Sequence, residues 1–389
     1  MAFRKVERLG KLLSPNFSNV RNLTSKAPST SSFSPQDVCI VGFARTPMGA
    51  FNGSLASLSA SELGAVAIKA ALNRAAISPD MVDEVLMGNV LSAGVGQAPA
   101  RQAALGAGVP TSACCTTVNK VCASGMKTIT MAAQSIATGT SSVVVAGGME
   151  SMSNVPYYLP KARSGYRLGH GEVTDGIIKD GLWDAYNDFH MGNCGEICAK
   201  HFNLTREQQD EEALESLRRA VDASSSGMFD GEMAPVEIKG RRGKPSTYVT
   251  EDEALQQGVD EGKMRALRPV FQKDGTITAG NASPISDGAA AVVLVSAAKA
   301  EELGLKVLAR VRGYADAEQA PEWFSTAPSL AIPKVRLRGS LRLLAIPKRT
   351  AALCLKPVHP CPPICASHIS TTKPTRKTTP LLAEPHWAT

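Results

Sequence analysis

Two stretches constrain this chain most: Ser142-Val143-Val144-Val145-Ala146-Gly147-Gly148 and Ala289-Ala290-Ala291-Val292-Val293-Leu294-Val295. Both are apolar almost throughout instead of at every second position, which is how a strand buried on both faces reads. Such strands need helices above and below them. The chain supplies these in alternation. Val38-Cys39-Ile40-Val41-Gly42 and Val85-Leu86-Met87-Gly88-Asn89-Val90 read as further strands. Between them Ser59 fits an N-cap, with Glu62 as its capping-box partner, and opens an Ala/Leu/Ile-rich helix to Ala76. Ala98 to Leu105, about Ala123 to Ala137 and about Ala297 to Leu303 read as helices too. The βαβαβαβ pattern predicts an α/β fold whose sheet is covered on both faces.

At 389 residues, 43% hydrophobic and 20% charged, the chain exceeds one ordinary domain, and two are expected. No run of eighteen apolar residues occurs, so no spanning helix and no membrane partner is expected. The net charge of +7 is terminal: residues 1–35 hold six Lys/Arg against one Glu, and residues 335–389 nine against one. Residues 36–334 keep 27 basic and 33 acidic side chains, without the clustered basic face that a nucleic acid requires. No nucleic-acid partner is expected. Nine cysteines, odd in number and without zinc-ligand spacing, point to thiols in a reducing compartment.

Residues 1–35 are Arg/Lys-bearing, Ser-rich and nearly free of acid, with Phe3, Val6, Leu9 and Leu12-Leu13 on one helical face. This is transit-peptide composition; it predicts a mitochondrial location, with cytoplasmic or peroxisomal as the alternatives. From Met152 to about Phe271 the chain changes to longer loops, read as an insertion over about 153–275. Within it Arg206 to Ala223 is an amphipathic helix capped by Thr205. Ala309-Arg310-Val311-Arg312-Gly313-Tyr314 is expected to open a second domain.

The stretch Asn119-Lys120-Val121-Cys122-Ala123-Ser124-Gly125-Met126-Lys127 joins the β-branched run Thr116-Thr117-Val118 to a helix. Cys122 therefore falls at a strand-to-helix turn. Unpaired amides and the positive end of the helix dipole favour a thiolate there, which suits a nucleophile. The competing reading is a buried cysteine packed as a small hydrophobe, the usual fate of the residue type.

Five segments together resemble the thiolase family, in its mitochondrial or plant acetyl-CoA acetyltransferase branch. They are Ala44-Arg45-Thr46-Pro47, Gly96-Gln97-Ala98-Pro99-Ala100-Arg101-Gln102, Asn119 to Gly125, Gly147-Gly148-Met149-Glu150-Ser151-Met152 and Gly280-Asn281-Ala282-Ser283. The resemblance runs from about Asp37 to Lys334. It implies the thiolase fold of αβαβα layers, with an amino-terminal half over 36–308 and the start of a carboxyl-terminal half over 309–334. It also implies an acyltransferase that joins two acetyl-CoA into acetoacetyl-CoA and CoA, reversibly, through an acetylated Cys122 whose amide is an oxyanion donor. A 3-ketoacyl-CoA thiolase is the lesser alternative, disfavoured by the Val121-Cys122-Ala123-Ser124-Gly125-Met126 and Phe189-His190-Met191-Gly192 segments.

By the same resemblance Leu182, His190, Met191, Phe271, Ala279 and Ser283 line the pantetheine arm, Tyr186 also meets substrate, and Lys263 contacts the CoA nucleotide. Tyr186, Ala279, Gly280 and Ala282 would bind potassium. CoA enters as substrate, no tightly bound cofactor is implied, and the family forms dimers or tetramers. After Lys334 the resemblance stops. The family's Asn-Glu-Ala-Phe, Gly-His-Pro-Leu-Gly and Cys-x-Gly-Gly-Gly motifs, with its activating His and second catalytic Cys, do not occur in 335–389, which holds eight Pro. His359 with Cys361 or Cys365 lacks the flanking glycines and is not read as a replacement pair. The expectation is a disordered, unrelated tail, a carboxyl-terminal half largely missing and little activity from this chain alone. The second hypothesis is a catalytically silent thiolase-like isoform that pairs with full-length subunits.

Overall fold

In the computed structural model, residues 34–240, 242–256 and 260–338 are described; expectations for 1–33 and 339–389 lie outside them. Six strands and one short extra strand form a mixed sheet. They are β1 (Val38–Arg45), β2 (Glu84–Gly88), β3 (Cys114–Val118), β4 (Val143–Ser151), β5 (Ser286–Ser296) and β6 (Ala309–Arg310), in the order β6-β1-β5-β4-β2-β3. Gly49–Ala50 is the seventh strand and pairs with the start of β5. β4, β2 and β3 run parallel, and β5 is antiparallel to both β4 and β1. The two all-apolar runs lie side by side at the centre, as β4 and β5, and every residue of β4 is buried.

Helices α1 (Ala60–Ala75), α2 (Pro99–Gly106) and α3 (Ser124–Ala137) cover this sheet on both faces. Alternation along β4 assigns each face its helices. Val143, Val145 and Met149 join Leu63, Ala67 and Ala103 of α1 and α2 in one core. Val144 and Ala146 join Ala132, Ala133 and Ile136 of α3 in the other. Ser59 and Glu62 close the expected capping box, and Ala76 ends α1 in the left-handed region at φ 54°.

Between β4 and β5 the chain leaves the sheet for residues 152–285. This excursion holds α4 (Met191–Phe202), α5 (Arg206–Ser225) and three two-stranded ribbons, of which Trp183–Asp184 with Phe189–His190 matters below. Thr205 and Gln208 form a second capping box at α5. A buried ion cluster fastens the excursion to the sheet. Arg45 at the end of β1 donates to both Asp252 carboxylate oxygens at 2.6 and 3.0 Å and to Glu232 at 2.5 Å, and its guanidinium lies 5.0 Å from the Phe229 ring centroid.

Three expectations are corrected here. The strand expected to run to Val90 ends at Gly88, because Asn89, Val90 and Leu91 turn away to hydrogen bond the Glu150 carboxylate. Ala309 and Arg310, expected to open a second domain, pair with Ile40 and Cys39 along the open edge of β1 and extend the first sheet. The chain past Lys334, expected to be irregular, continues helix α7 (Ala327–Arg338) through Arg338, with Pro333 inside it; α6 (Ala297–Glu302) precedes it after β5. Among the described residues no helix is long and apolar enough to cross a membrane.

Candidate active site

The turn from β3 into α3 is built around one strained residue. Val121 sits at φ 49°, a left-handed conformation that a β-branched side chain rarely adopts. Side chains on either flank hold it. Asn119 Oδ1 accepts from the Val121 amide at 2.9 Å, while Ser124 Oγ accepts from the Lys120 amide at 2.8 Å and donates to the Val121 carbonyl at 2.6 Å. The start of α3 is pressed onto the sheet, since a Cβ on Gly88 would stand 2.7 Å from that of Ser124. Cys122 is consequently displayed, exposed, two residues before a 14-residue helix. The competing reading of a buried packing residue does not hold.

Three other thiols differ in kind. Cys39, Cys194 and Cys198 are buried, and burial raises each thiol above its ordinary value, Cys194 to about 11. None of the six described cysteines is in a disulfide. Lys120 and Lys127 flank Cys122 and pair with Glu318 at 2.9 Å and Asp316 at 2.8 Å. Those lysines hold both carboxyls below the usual carboxylate range.

Behind the turn lies Glu150, at the end of β4 and only 3% exposed. Its carboxylate accepts from Asn89 Nδ2 and the Val90 amide, both at 2.8 Å, and from the Leu91 amide at 3.4 Å. Burial outweighs these donors and pushes Glu150 up to about 7, with Asp287 adding a like charge. In the sequence Glu150 stands out only as part of the Gly147–Met152 segment. A carboxylate closing an otherwise apolar strand was the signal that could have marked it.

The residues expected along the pantetheine arm fall into three groups. His190 and Phe271 stack, with ring centroids 4.8 Å apart and 23° between planes. His190 Nδ1 accepts from the Gly192 amide at 3.0 Å, capping α4, with half-buried Met191 as the first residue of that helix. Burial lowers the imidazole below its ordinary value, so the ring is neutral with its proton on Nε2, facing away from the cap. Leu182 packs on the apolar cluster of Val90, Leu91, Met152 and Ile177 beside the Cys122 turn. Ala279, Ala282 and Ser283 are exposed on a turn that follows Thr276 and Ile277, whose amides donate to buried Glu196 at 2.8 Å.

Lys263 and Tyr186 stand apart from these groups. Lys263 is exposed in the one-turn helix Glu261–Arg265 and pairs with Asp260 at 3.3 Å. Tyr186 is 86% exposed between the two strands of its ribbon. The carbonyls of Ala279, Gly280 and Ala282 accept no hydrogen bond among the described residues, so this turn offers the oxygen donors that potassium takes. Tyr186 makes no hydrogen bond to the turn among those residues, and the four-residue set is therefore not shown as one site.

The Thiolase, N-terminal domain family matches residues 38–298. Acetyl-CoA acetyltransferase 2 of Arabidopsis thaliana is 62% identical over 316 residues, covering 81% of this chain and 78% of that protein. A protein of Gibberella zeae described as acetyl-CoA acetyltransferase ERG10, cytosolic, is 56% identical over 297 residues, covering 76% and 74%. Among solved structures, an acetyl-CoA acetyltransferase from Syntrophomonas wolfei superposes with a TM-score of 0.76 at 39% identity, covering 79% of this chain and 76% of that one.

Proposed function

Since the chain belongs to the thiolase family, we propose that it is an acetyl-CoA C-acetyltransferase with Cys122 as its nucleophile. The observation that carries this is the exposed Cys122 held at the N-terminus of α3 by Asn119 and Ser124. The Cys122 sulfur attacks the acetyl carbonyl of acetyl-CoA, the C–S bond to CoA breaks, and CoA leaves with the proton the thiol gave up. A base then takes a proton from the α-carbon of a second acetyl-CoA, that carbon attacks the Cys122 thioester, the bond from the acetyl carbon to the Cys122 sulfur breaks, and the proton returns to that sulfur as acetoacetyl-CoA leaves. A thiol exchanges acyl groups with a thioester at little free-energy cost, which is why cysteine suits this step.

His190, stacked on Phe271, would present its Nε2–H to the pantetheine arm, with Met191, Leu182, Ala279 and Ser283 along the same path. Tyr186 and Lys263 are the outlying contacts, Lys263 toward the CoA nucleotide. Potassium, held by the carbonyls of Ala279, Gly280 and Ala282 with Tyr186, would supply a fixed positive charge beside that turn. A homo-oligomer is the assembly this reading carries with it.

The test separates the two half-reactions. Purified protein is mixed with acetyl-CoA, and the Cys122 peptide is analysed by mass spectrometry for acetylation, with Cys122→Ala as control. Acetyl on Cys122 supports the nucleophile; acetyl on buried cysteines or on none of them overturns it. Release of acetoacetyl-CoA then distinguishes the enzyme from the silent isoform, which acetylates without condensing unless a complete subunit is added. Longer acyl-CoA substrates outcompeting acetyl-CoA would instead favour the 3-ketoacyl-CoA thiolase. For location, a reporter fused to residues 1–35 is expected in mitochondria, and a cytosolic reporter would assign the chain the compartment of its Gibberella zeae relative.

A further inference from the structure

The nucleophile turn does not hold itself. Asn119, which fixes the left-handed Val121, is anchored through its Nδ2 to the Val90 carbonyl at 3.3 Å. Val90 belongs to the turn that breaks away from β2, and the Val90 and Leu91 amides in that turn both end on Glu150. Asn89 is tied at both ends, its amide donating to the Val118 carbonyl at 3.0 Å and its side chain to Glu150 at 2.8 Å. A continuous line of hydrogen bonds thus runs from the buried end of β4 to the residue before Cys122. We propose that Glu150 is a positioning residue for Cys122: its carboxylate shapes the Asn89–Leu91 turn, which sets the Cys122 turn through Asn119.

Glutamine does not do this job at position 150. The carboxylate accepts on both oxygens, and each oxygen has a donor within 2.8 Å. Glutamine keeps one oxygen and turns an N–H toward either Asn89 or the Val90 amide, leaving two donors face to face. The charged group acting on Glu150 from the neighbouring strand is Asp287 of β5, itself bound to the Ser153 amide and hydroxyl at 2.9 and 2.6 Å. Glu150 therefore has a like charge beside it, and hydrogen bonding is what fixes its place.

The inference rests on Cys122 being the reactive thiol, and its test does not need turnover. Iodoacetamide labelling of the full chain is followed at pH 8 by peptide mass spectrometry, with Cys114 on β3 as an exposed reference. Glu150→Gln is expected to slow Cys122 about fivefold relative to Cys114, the scale of one disrupted buried hydrogen bond. Deleting a negative charge would by itself favour the thiolate and speed the reaction, so a fall has the opposite sign to simple electrostatics. A merely structural loss would speed buried Cys39 and Cys198 instead. Asn119→Ala, which leaves Glu150 intact, should slow Cys122 by a similar factor, and the double variant should be no slower than Asn119→Ala alone. Additive effects overturn the proposal, and an unchanged Cys122 rate in Asn119→Ala overturns it even where Glu150→Gln fails to fold. If native Cys122 labels no faster than Cys39 or Cys198, the nucleophile reading fails; faster native labelling that neither variant disturbs fails this inference alone.

Discussion

At the scale of single residues, position 150 exposes a conflict between burial and hydrogen bonding. Three donors favour the carboxylate, yet desolvation prevails and raises Glu150 from 4.5 to about 7. The folded chain thus keeps a proton that the unfolded chain releases above the ordinary value. The resulting stability is full below about pH 4.5 and is lost as pH rises to about 7, worth about 3 kcal/mol from a shift of that size. Burial raises Asp287 as well, with the same sign. Glu150→Gln cannot titrate and should remove most of the difference in urea midpoint between pH 5 and pH 8. A variant with the native pH dependence would assign that slope to other groups. Cys122 poses the opposite case, an exposed side chain whose turn is held by the side chains of Asn119 and Ser124.

Elements meet at the site through missing side chains. Gly88 ends β2 under the first residue of α3, and a methyl group there would stand 2.8 Å from the Ser124 backbone carbon. Backbone cannot yield as a flexible side chain does, so Gly88→Ala should shift the start of α3 and cost about 1–3 kcal/mol, the usual penalty for overpacking. Circular dichroism melting would show the loss, and Cys122 labelling should slow with it; full native stability would mean that α3 is less tightly seated than its contacts indicate. The elements themselves were largely legible in the sequence. Apolar runs gave β4 and β5, and Ser59-x-x-Glu62 gave the start of α1, because period and capping are local signals. The turn at Asn89 was not legible, since a strand-like sequence there is overruled by a carboxylate 61 positions away. Nor was the pairing of His190 with Phe271 visible without the resemblance, because a stack across 81 positions leaves no periodic trace. The placing of β6 failed for the same reason: which open edge a short strand chooses depends on partners that sequence order does not name.

For the molecule as a whole, the question is what keeps the 152–285 excursion registered on the sheet that carries Cys122, since the proposed contacts of His190, Phe271 and Ser283 with one substrate require it to stay in place. One buried polar anchor acts within the excursion and another fastens it to the sheet. Glu196 of α4 holds the Thr276 and Ile277 amides, which fixes the approach to the Ala279–Ser283 turn within the excursion. Arg45 and Asp252 connect the excursion to β1, with Asp252 also accepting from the Met48 amide at 2.9 Å. Both partners of that ion pair are nearly inaccessible, at 7% and 2% side-chain exposure. Replacing Asp252 by Ala takes from the buried Arg45 guanidinium the carboxylate that meets two of its nitrogens, a change that costs about 3–5 kcal/mol when a buried pair is broken from one side. Asp252→Ala is therefore expected to lower the thermal midpoint and to open the excursion to proteolysis before the sheet. Its effect on chemistry should be selective as well: Cys122 labelling by iodoacetamide should persist in the folded fraction, since the Glu150–Asn119 line does not pass through Asp252, while acetylation by acetyl-CoA should fall because the proposed pantetheine contacts on the excursion would have moved. Equal loss of both reactions would place Asp252 in support of the nucleophile turn itself, and equal retention would show that the excursion is held by other contacts.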